Sequence, residues 1–233
     1  DNRLVYEETD LPLYNKWLDD TNPLTQADYD NLFDACKNKN VKRLALLIPQ
    51  LFQRSGFNYN VTNNDNETLL MTLFEIPEFC NTHSGIIKQL IEKMSEDGVS
   101  QKTNRRWTAL IDTNWTALMF AFRFAPEFCN NNSGVIKQLI EKMDDNGVSQ
   151  KSNENWTVLM LAFRYAPNFC NEHSGIVKQL IVKMSEDGIN HKNKSGFTAL
   201  MLAFRNAPEF CTQQSDIIEQ LIEKMGEDGV NQI

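Results

Sequence analysis

An all-α array of repeated units, a helical solenoid with turn or hairpin fingers, is what the sequence predicts, and three observations predict it. The segments starting at Trp115, Trp156 and Phe197 read WTALMFAFRFAPEFC, WTVLMLAFRYAPNFC and FTALMLAFRNAPEFC, at an offset of 41 residues each time. A second block follows each of them: SGVIKQLIEKMDDNGVSQK from Ser133, SGIVKQLIVKMSEDGINHK from Ser174 and SDIIEQLIEKMGEDGVNQI from Ser215. A more diverged copy precedes them, ETLLMTLFEIPEFC from Glu67 and SGIIKQLIEKMSEDGVSQK from Ser84. Self-similarity at such a period marks units that bury their apolar faces only against their neighbours.

Within a unit the pattern predicts two helices. Thr157 to Ala166 is short and apolar, and it stops before Pro167 because the residue preceding a proline is biased away from helical geometry. In the second block Ser133 is the expected N-cap, and Val135, Ile136, Leu139, Ile140 and Met143 recur at helical spacing. Gly147 is expected to end that helix in a left-handed conformation. PEFCNNNSG is then a linker between the two helices, and Gln150-Lys151-Ser152-Asn153-Glu154-Asn155 has the composition of a turn between units.

Nearer the N-terminus, Thr25 with Asp28 forms a capping box for a helix bearing Leu32, Phe33, Ala35 and Cys36, and Val41 to Ile48 is its second helix. Gly56-Phe57-Asn58-Tyr59-Asn60 stands where later copies have their glycine-led turn. Residues 1–24, with Pro12, Leu13, Tyr14, Trp17 and Leu18, fall outside the repeats and are expected to cap the first unit.

T-A-L-M-x-A-F opening a short helix, I-x-Q-L-I in the next, and then Gly188-Ile189-Asn190 or Gly229-Val230-Asn231 resemble the ankyrin repeat. The family's T-P-L-H-x-A-A opening corresponds to Thr198 through Phe204, with Ala199 for its proline and Met201 for its histidine. The resemblance covers 25–233 as five units, about 25–65, 66–106, 107–154, 155–195 and 196–233. It departs from the family in its period, 41 instead of about 33 residues; a HEAT- or armadillo-type array is the alternative fold.

The third unit carries an echo. Trp-Thr-Ala-Leu occurs at 107–110 and again at 115–118. Gly147 to Trp156 spans nine residues and Gly98 to Trp115 seventeen, so eight residues are inserted at 107–115. The helix is expected to start at the second copy, with Trp107 to Ile111 and Trp115 flanking Asp112-Thr113-Asn114 as a lengthened hairpin finger. Removing Thr108–Trp115 would restore Trp107-Thr-Ala-Leu-Met at the standard spacing.

Composition bounds the partner. The net charge of −8 disfavours a phosphate backbone or an anionic bilayer, and no apolar run approaches the length of a membrane span, so neither nucleic acid nor membrane is expected. No catalytic group, cofactor or metal is predicted. Cys80, Cys129, Cys170 and Cys211 recur once per unit, and His83 and His173 follow two of them at C-x-x-H spacing; units stacked a helix diameter apart cannot gather such pairs into one zinc site or a disulfide. Core packing is the preferred role for these cysteines. The run Asp144-Asp145-Asn146-Gly147 lacks the alternating ligands of a calcium loop, with Asn153 at the place of its final acid. Glycine-rich phosphate loops and nucleophile elbows are absent from the sequence, so the chain is not expected to be an enzyme.

A surface remains. In the ankyrin family the residue before T-P-L-H and the exposed positions of the first helix line a concave groove that grips proteins. The resemblance therefore implies a protein partner held by Trp115, Phe120, Arg123, Trp156, Leu161, Arg164, Phe197 and Arg205, with Arg105, Arg106 and Trp107 on the finger. The competing reading packs the aromatics on the neighbouring turn and on Phe120, Leu161 and Leu202, and leaves the arginines to cap carbonyls. The expectation is a monomeric, cytoplasmic recognition module, in a host-cell cytosol if the chain is a delivered bacterial effector. The alternative is the targeting or scaffold part of a larger enzyme whose catalytic domain lies elsewhere.

Overall fold

The computed structural model describes residues 21–104 and 113–230, and over them the chain is a helical repeat array. Its first two helices are α1 (Gln26–Lys37) and α2 (Val41–Phe52). The Thr25 N–H and hydroxyl both donate to the Asp28 carboxylate, at 2.8 and 2.7 Å, which fixes the start of α1. α2 runs past Pro49, beyond the expected end at Ile48. Proline removes one helical hydrogen bond, but Leu51 and Phe52 are buried and hold the last turn in place.

The second to fourth units contain four helices each and the last unit three, where the sequence pattern predicts two. The second unit has α3 (Leu69–Phe74), α4 (Pro77–Thr82), α5 (Ser84–Lys93) and α6 (Glu96–Val99). The third repeats the order as α7 (Ala117–Phe124), α8 (Pro126–Asn131), α9 (Ser133–Lys142) and α10 (Asp145–Val148). The fourth has α11 (Val158–Tyr165), α12 (Pro167–Glu172), α13 (Ser174–Lys183) and α14 (Glu186–Asn190). The last has α15 (Ala199–Asn206), α16 (Pro208–Gln213) and α17 (Ser215–Val230).

The expected linker PEFC is thus a helix. Proline occupies its first position, where a missing N–H costs nothing and φ is already helical. The phenylalanine two residues on is driven inward, and it packs on the first helix of the preceding unit: Phe74 meets Phe128, Phe122 meets Phe169 and Phe163 meets Phe210, with ring centroids 5.8, 5.1 and 5.4 Å apart. These contacts, with the stacking of α3, α7, α11 and α15 side by side, form one continuous core. The following helix starts at Ser133 itself, so this serine is not the cap; Asn132 takes that position without a side-chain bond to the helix.

Gly147 does not stop a helix with a left-handed residue, as the pattern suggested. α9 ends at Lys142, Met143 is extended and buried, and Gly147 lies inside α10. The glycine is needed for close approach. The Ser100 hydroxyl of the preceding unit accepts from the Asp144 N–H at 3.1 Å, and a Cβ on Gly147 would come within 2.8 Å of that oxygen. Asn60 on Ser95 N–H (2.9 Å) and Ser149 on Ser185 N–H (2.7 Å) repeat the contact, so Asn60 takes the role played later by serine. In the last unit Gly226 stands where Ser95, Asp144 and Ser185 cap the fourth helix; it adopts φ +64°, and α17 bends there.

The turns between units have a common form as well. Asn66, Asn114, Asn155 and Gly196 hold positive φ, and the next residue closes the turn: Asn63, Thr103, Ser152 and Asn193 N–H groups donate to the Glu67, Trp115, Trp156 and Phe197 carbonyls at 3.0 Å. Isolated antiparallel bridges, Thr62 with Thr68 and Lys151 with Thr157, give two of these fingers a hairpin base. In the third unit the same closure spans the insertion, since Asn114 N–H donates to Thr103 O at 2.8 Å and α7 begins after the second Thr-Ala-Leu threonine. Thr113, Asn114 and Trp115 therefore belong to the base of the finger, where Thr113 and Asn114 were expected at its tip with Trp115 flanking them; Trp107 to Asp112 lie outside the described residues.

The extra residues are best counted as 105–112, because their removal leaves Thr103-Asn104-Thr113-Asn114 with asparagine at the left-handed position. Deleting 105–112 is expected to preserve folding and to raise stability by up to about 1 kcal/mol through loop shortening. Deleting Thr108–Trp115 instead puts Arg106 at that position and should be about 1–2 kcal/mol less stable than the first deletion. Equal urea midpoints for the two deletions would contradict the turn assignment. A second comparison tests the close approach: Gly147→Ala should destabilise by about 1–3 kcal/mol. Gly134→Ala, in a helix with open space at its Cβ, should instead stabilise by up to about 1 kcal/mol.

Candidate recognition face

The residue after each left-handed turn position starts a line of side chains across the first helices. Adjacent fingers hold it in register through main-chain bonds: Asn104 N–H to Asp65 O (2.7 Å), Asn153 N–H to Thr113 O (3.1 Å) and Lys194 N–H to Glu154 O (3.1 Å). Lys194 Nζ adds an ion pair to Glu154 at 2.8 Å. The order along the line is Glu67, Trp115, Trp156, Phe197.

These residues differ in exposure. Glu67 is buried and accepts from Asn63 Nδ2 at 2.8 Å. Trp115 is only 8% exposed and packs edge-on to Phe120 at 5.9 Å. Trp156 and Phe197 are half-buried, resting on the core with part of each ring at the surface. Phe120 and Leu161 are wholly buried and offer no surface in this conformation, because the first helix turns both of them into the array.

The arginines lie beside these rings. Arg205 sits over Phe197 at 5.2 Å and Arg164 over Trp156 at 5.4 Å. Arg123 stacks on Phe124 at 5.2 Å and, more closely, on Tyr165 of the next unit at 4.3 Å, while Arg164 approaches the same tyrosine at 5.3 Å. Such contacts contribute about 0.5–1 kcal/mol each at exposed sites and hold the guanidinium in place. Among the described residues none of Arg123, Arg164 and Arg205 has a carboxylate at ion-pair distance. Tyr165 and Phe124 belong to the line although the sequence reasoning did not select them; their signal was Phe, Tyr and Asn206 following arginine at the repeat spacing. Arg105, Arg106 and Trp107 lie outside the described residues.

The line changes character toward the N-terminus. Glu75 takes the place of the arginine, and a cavity of about 450 Å³ opens there between α1, the first finger and α3. Asp30, Asp34, Asp65, Glu67 and Glu75 are among its lining residues, and Phe124 closes it on the side of the arginines.

The cysteines lie inside. Cys36, Cys80, Cys129 and Cys170 are buried and Cys211, in the last unit, is half-buried; all are free thiols. Burial pushes the Cys36 thiol up to about 12 and that of Cys129 well above its ordinary value, the neighbouring cysteines Cys80 and Cys170 adding to the effect at Cys129. A nucleophile needs the opposite shift. The two histidines of the C-x-x-H pairs face elsewhere: His83 stacks on Phe79 at 4.8 Å, and His173 Nε2 lies 2.9 Å from the Asn130 carbonyl oxygen. His191 lies near Lys151 and Asp187, and burial, then the Lys151 charge, lower its pKa. No cluster of three or more His, Cys, Asp or Glu residues that could hold a metal occurs among the described residues, and none of their helices is long and apolar enough to cross a membrane.

No curated protein matches the chain. Residues 125–232 match the family model for ankyrin repeats in three copies, a stretch that starts just after the third unit's first helix and runs into the fifth unit. Ankyrin repeats are generally protein–protein interaction modules and typically non-catalytic. Residues 125–232, with their stacked units and finger turns, are therefore ankyrin repeats.

Proposed function

We propose that the chain is a non-catalytic recognition module that grips a partner protein across its finger bases and first helices. One observation carries this reading: Trp156 and Phe197 keep part of their rings at the surface, each beneath an arginine, where Trp115 in the same register is buried. Rigid aromatic rings and arginine are the residue types on which interface energy concentrates. In this reading the units at about 107–154, 155–195 and 196–233 supply the contact line, through Arg123, Trp156, Arg164, Phe197 and Arg205. The unit at about 66–106 supplies its acidic end, and that at about 25–65 closes the array. Phe120 and Leu161 support the line from below.

Affinity capture from a eukaryotic lysate tests the proposal. Trp156→Ala combined with Phe197→Ala should weaken capture by about 1–4 kcal/mol and leave far-UV circular dichroism intact. Unchanged capture would overturn the recognition line; a matching loss of folding stability would assign the two rings to packing.

A further inference from the structure

We infer that the partner presents an extended acidic segment whose carboxylates meet Arg123, Arg164 and Arg205 at about one per repeat. The inference rests on the recognition reading above and adds the chemistry of the partner. In a chain with net charge −8, three guanidiniums repeat at 41-residue spacing on one face, and none of them has a carboxylate partner among the described residues. Aromatic rings take up one face of each: Tyr165 and Phe124 under Arg123, Trp156 and Tyr165 beside Arg164, Phe197 under Arg205. A stacked guanidinium still has its in-plane N–H donors, and these match a carboxylate in bidentate geometry.

Spacing defines the segment further. Stacked helices repeat at about 10 Å, and an extended strand advances about 3.3 Å per residue, so the three arginines fit acids about three residues apart. Phe124, Tyr165, Trp156 and Phe197 lie between and beneath them, where intervening apolar side chains can rest. The line is also finite: Glu75 replaces the arginine in the second unit, and the adjoining cavity is lined by Asp30, Asp34, Asp65, Glu67 and Glu75 against Lys37 and Lys39, an acidic excess. A nucleic acid, with about one charge per 1.7 Å of duplex, would run from the arginines onto these acids and be repelled. A peptide with a few spaced carboxylates ends before them.

Panning a display library of random peptides of about twelve residues against the full chain tests this. Enriched peptides should carry Asp or Glu at about every third position, and should weaken at least about tenfold with Arg164→Gln/Arg205→Gln or on raising salt from about 0.05 to about 0.5 M. Lys137→Gln, an exposed site on α9 paired to Glu141, should leave binding unchanged. Enrichment without an acidic excess, no enrichment at all, or equal binding by the arginine variant would overturn the inference, as would a single-stranded oligonucleotide bound as tightly and with the same arginine dependence. If Trp156→Ala/Phe197→Ala abolishes peptide binding while the arginine variant does not, the charge inference falls and the recognition face stands. If neither variant alters binding, both fall.

Discussion

A first helix of this array has apolar side chains on more than one side, and a single unit can cover only part of them. The rest must be covered by the next unit. Phe74, Phe122 and Phe163 are fully buried because Phe128, Phe169 and Phe210 from the following Pro-led helices close over them. The corresponding Phe204 in the last unit is 56% exposed. The same segment, LMLAFR, holds Phe163 buried and Phe204 exposed, so it is the neighbour and not the unit that makes the core. At about 1.5–3 kcal/mol for a fully buried phenylalanine, together with the stacked first helices, this contact outweighs any single surface pair in the chain.

Apolar contact alone would let units slide, and polar contacts set the register. Asn60, Ser100 and Ser149 each accept the first N–H of the next unit's fourth helix, a group that would otherwise be orphaned. Lys142 Nζ donates to the Ile91 and Glu92 carbonyls at 2.7 and 2.8 Å, and Lys224 Nζ to Ile181 and Val182 at 2.8 and 2.7 Å, so the exposed helix C-termini are satisfied from the following unit too. Burial lowers the Lys142 and Lys224 pKa values, a cost offset by these bonds and by Glu92 beside Lys142. Each bond links neighbouring units and recurs at equivalent positions along the array. A slip of one residue would break all of them at once, and this is why the array has a single pitch.

The array, the helix that opens each unit and the helix from Ser133 were legible in the sequence because side-chain periodicity reports them directly. Two features were not. PEFCNNNSG looked like a linker because its asparagines are loop-formers, but the proline at the first helical position and the buried phenylalanine outweigh them. Gly147 looked like a helix stop because glycine usually is; a Cβ there would meet both the Asp144 cap of its own helix and Ser100 from the neighbouring unit, and local pattern cannot show the second. The aromatic positions were visible as a register but not as a surface. Trp115, Trp156 and Phe197 read alike, and only the packing of Trp115 on Phe120 and Phe124 distinguishes the buried ring from the two that keep some surface.

The same division of labour explains how an array this closely registered tolerates eight extra residues. Among the described residues, Thr103 N–H closes the turn on the Trp115 carbonyl, and Asn104 N–H to Asp65 O and Asn153 N–H to Thr113 O tie its base to the units on either side. Asn104 and Thr113 are consecutive in the geometry of the turn though nine positions apart in sequence, and both keep the bonds that their counterparts Asn153, Glu154 and Lys194 make. The insertion therefore enters between two pinned residues and leaves these unit-to-unit bonds intact. Because lengthening a loop costs only about 0.6 kcal/mol per doubling, sequence can accumulate at this point with little effect on stability. The chain's freedom to vary in length lies between Asn104 and Thr113, and its constraint lies in the bonds that these two residues make.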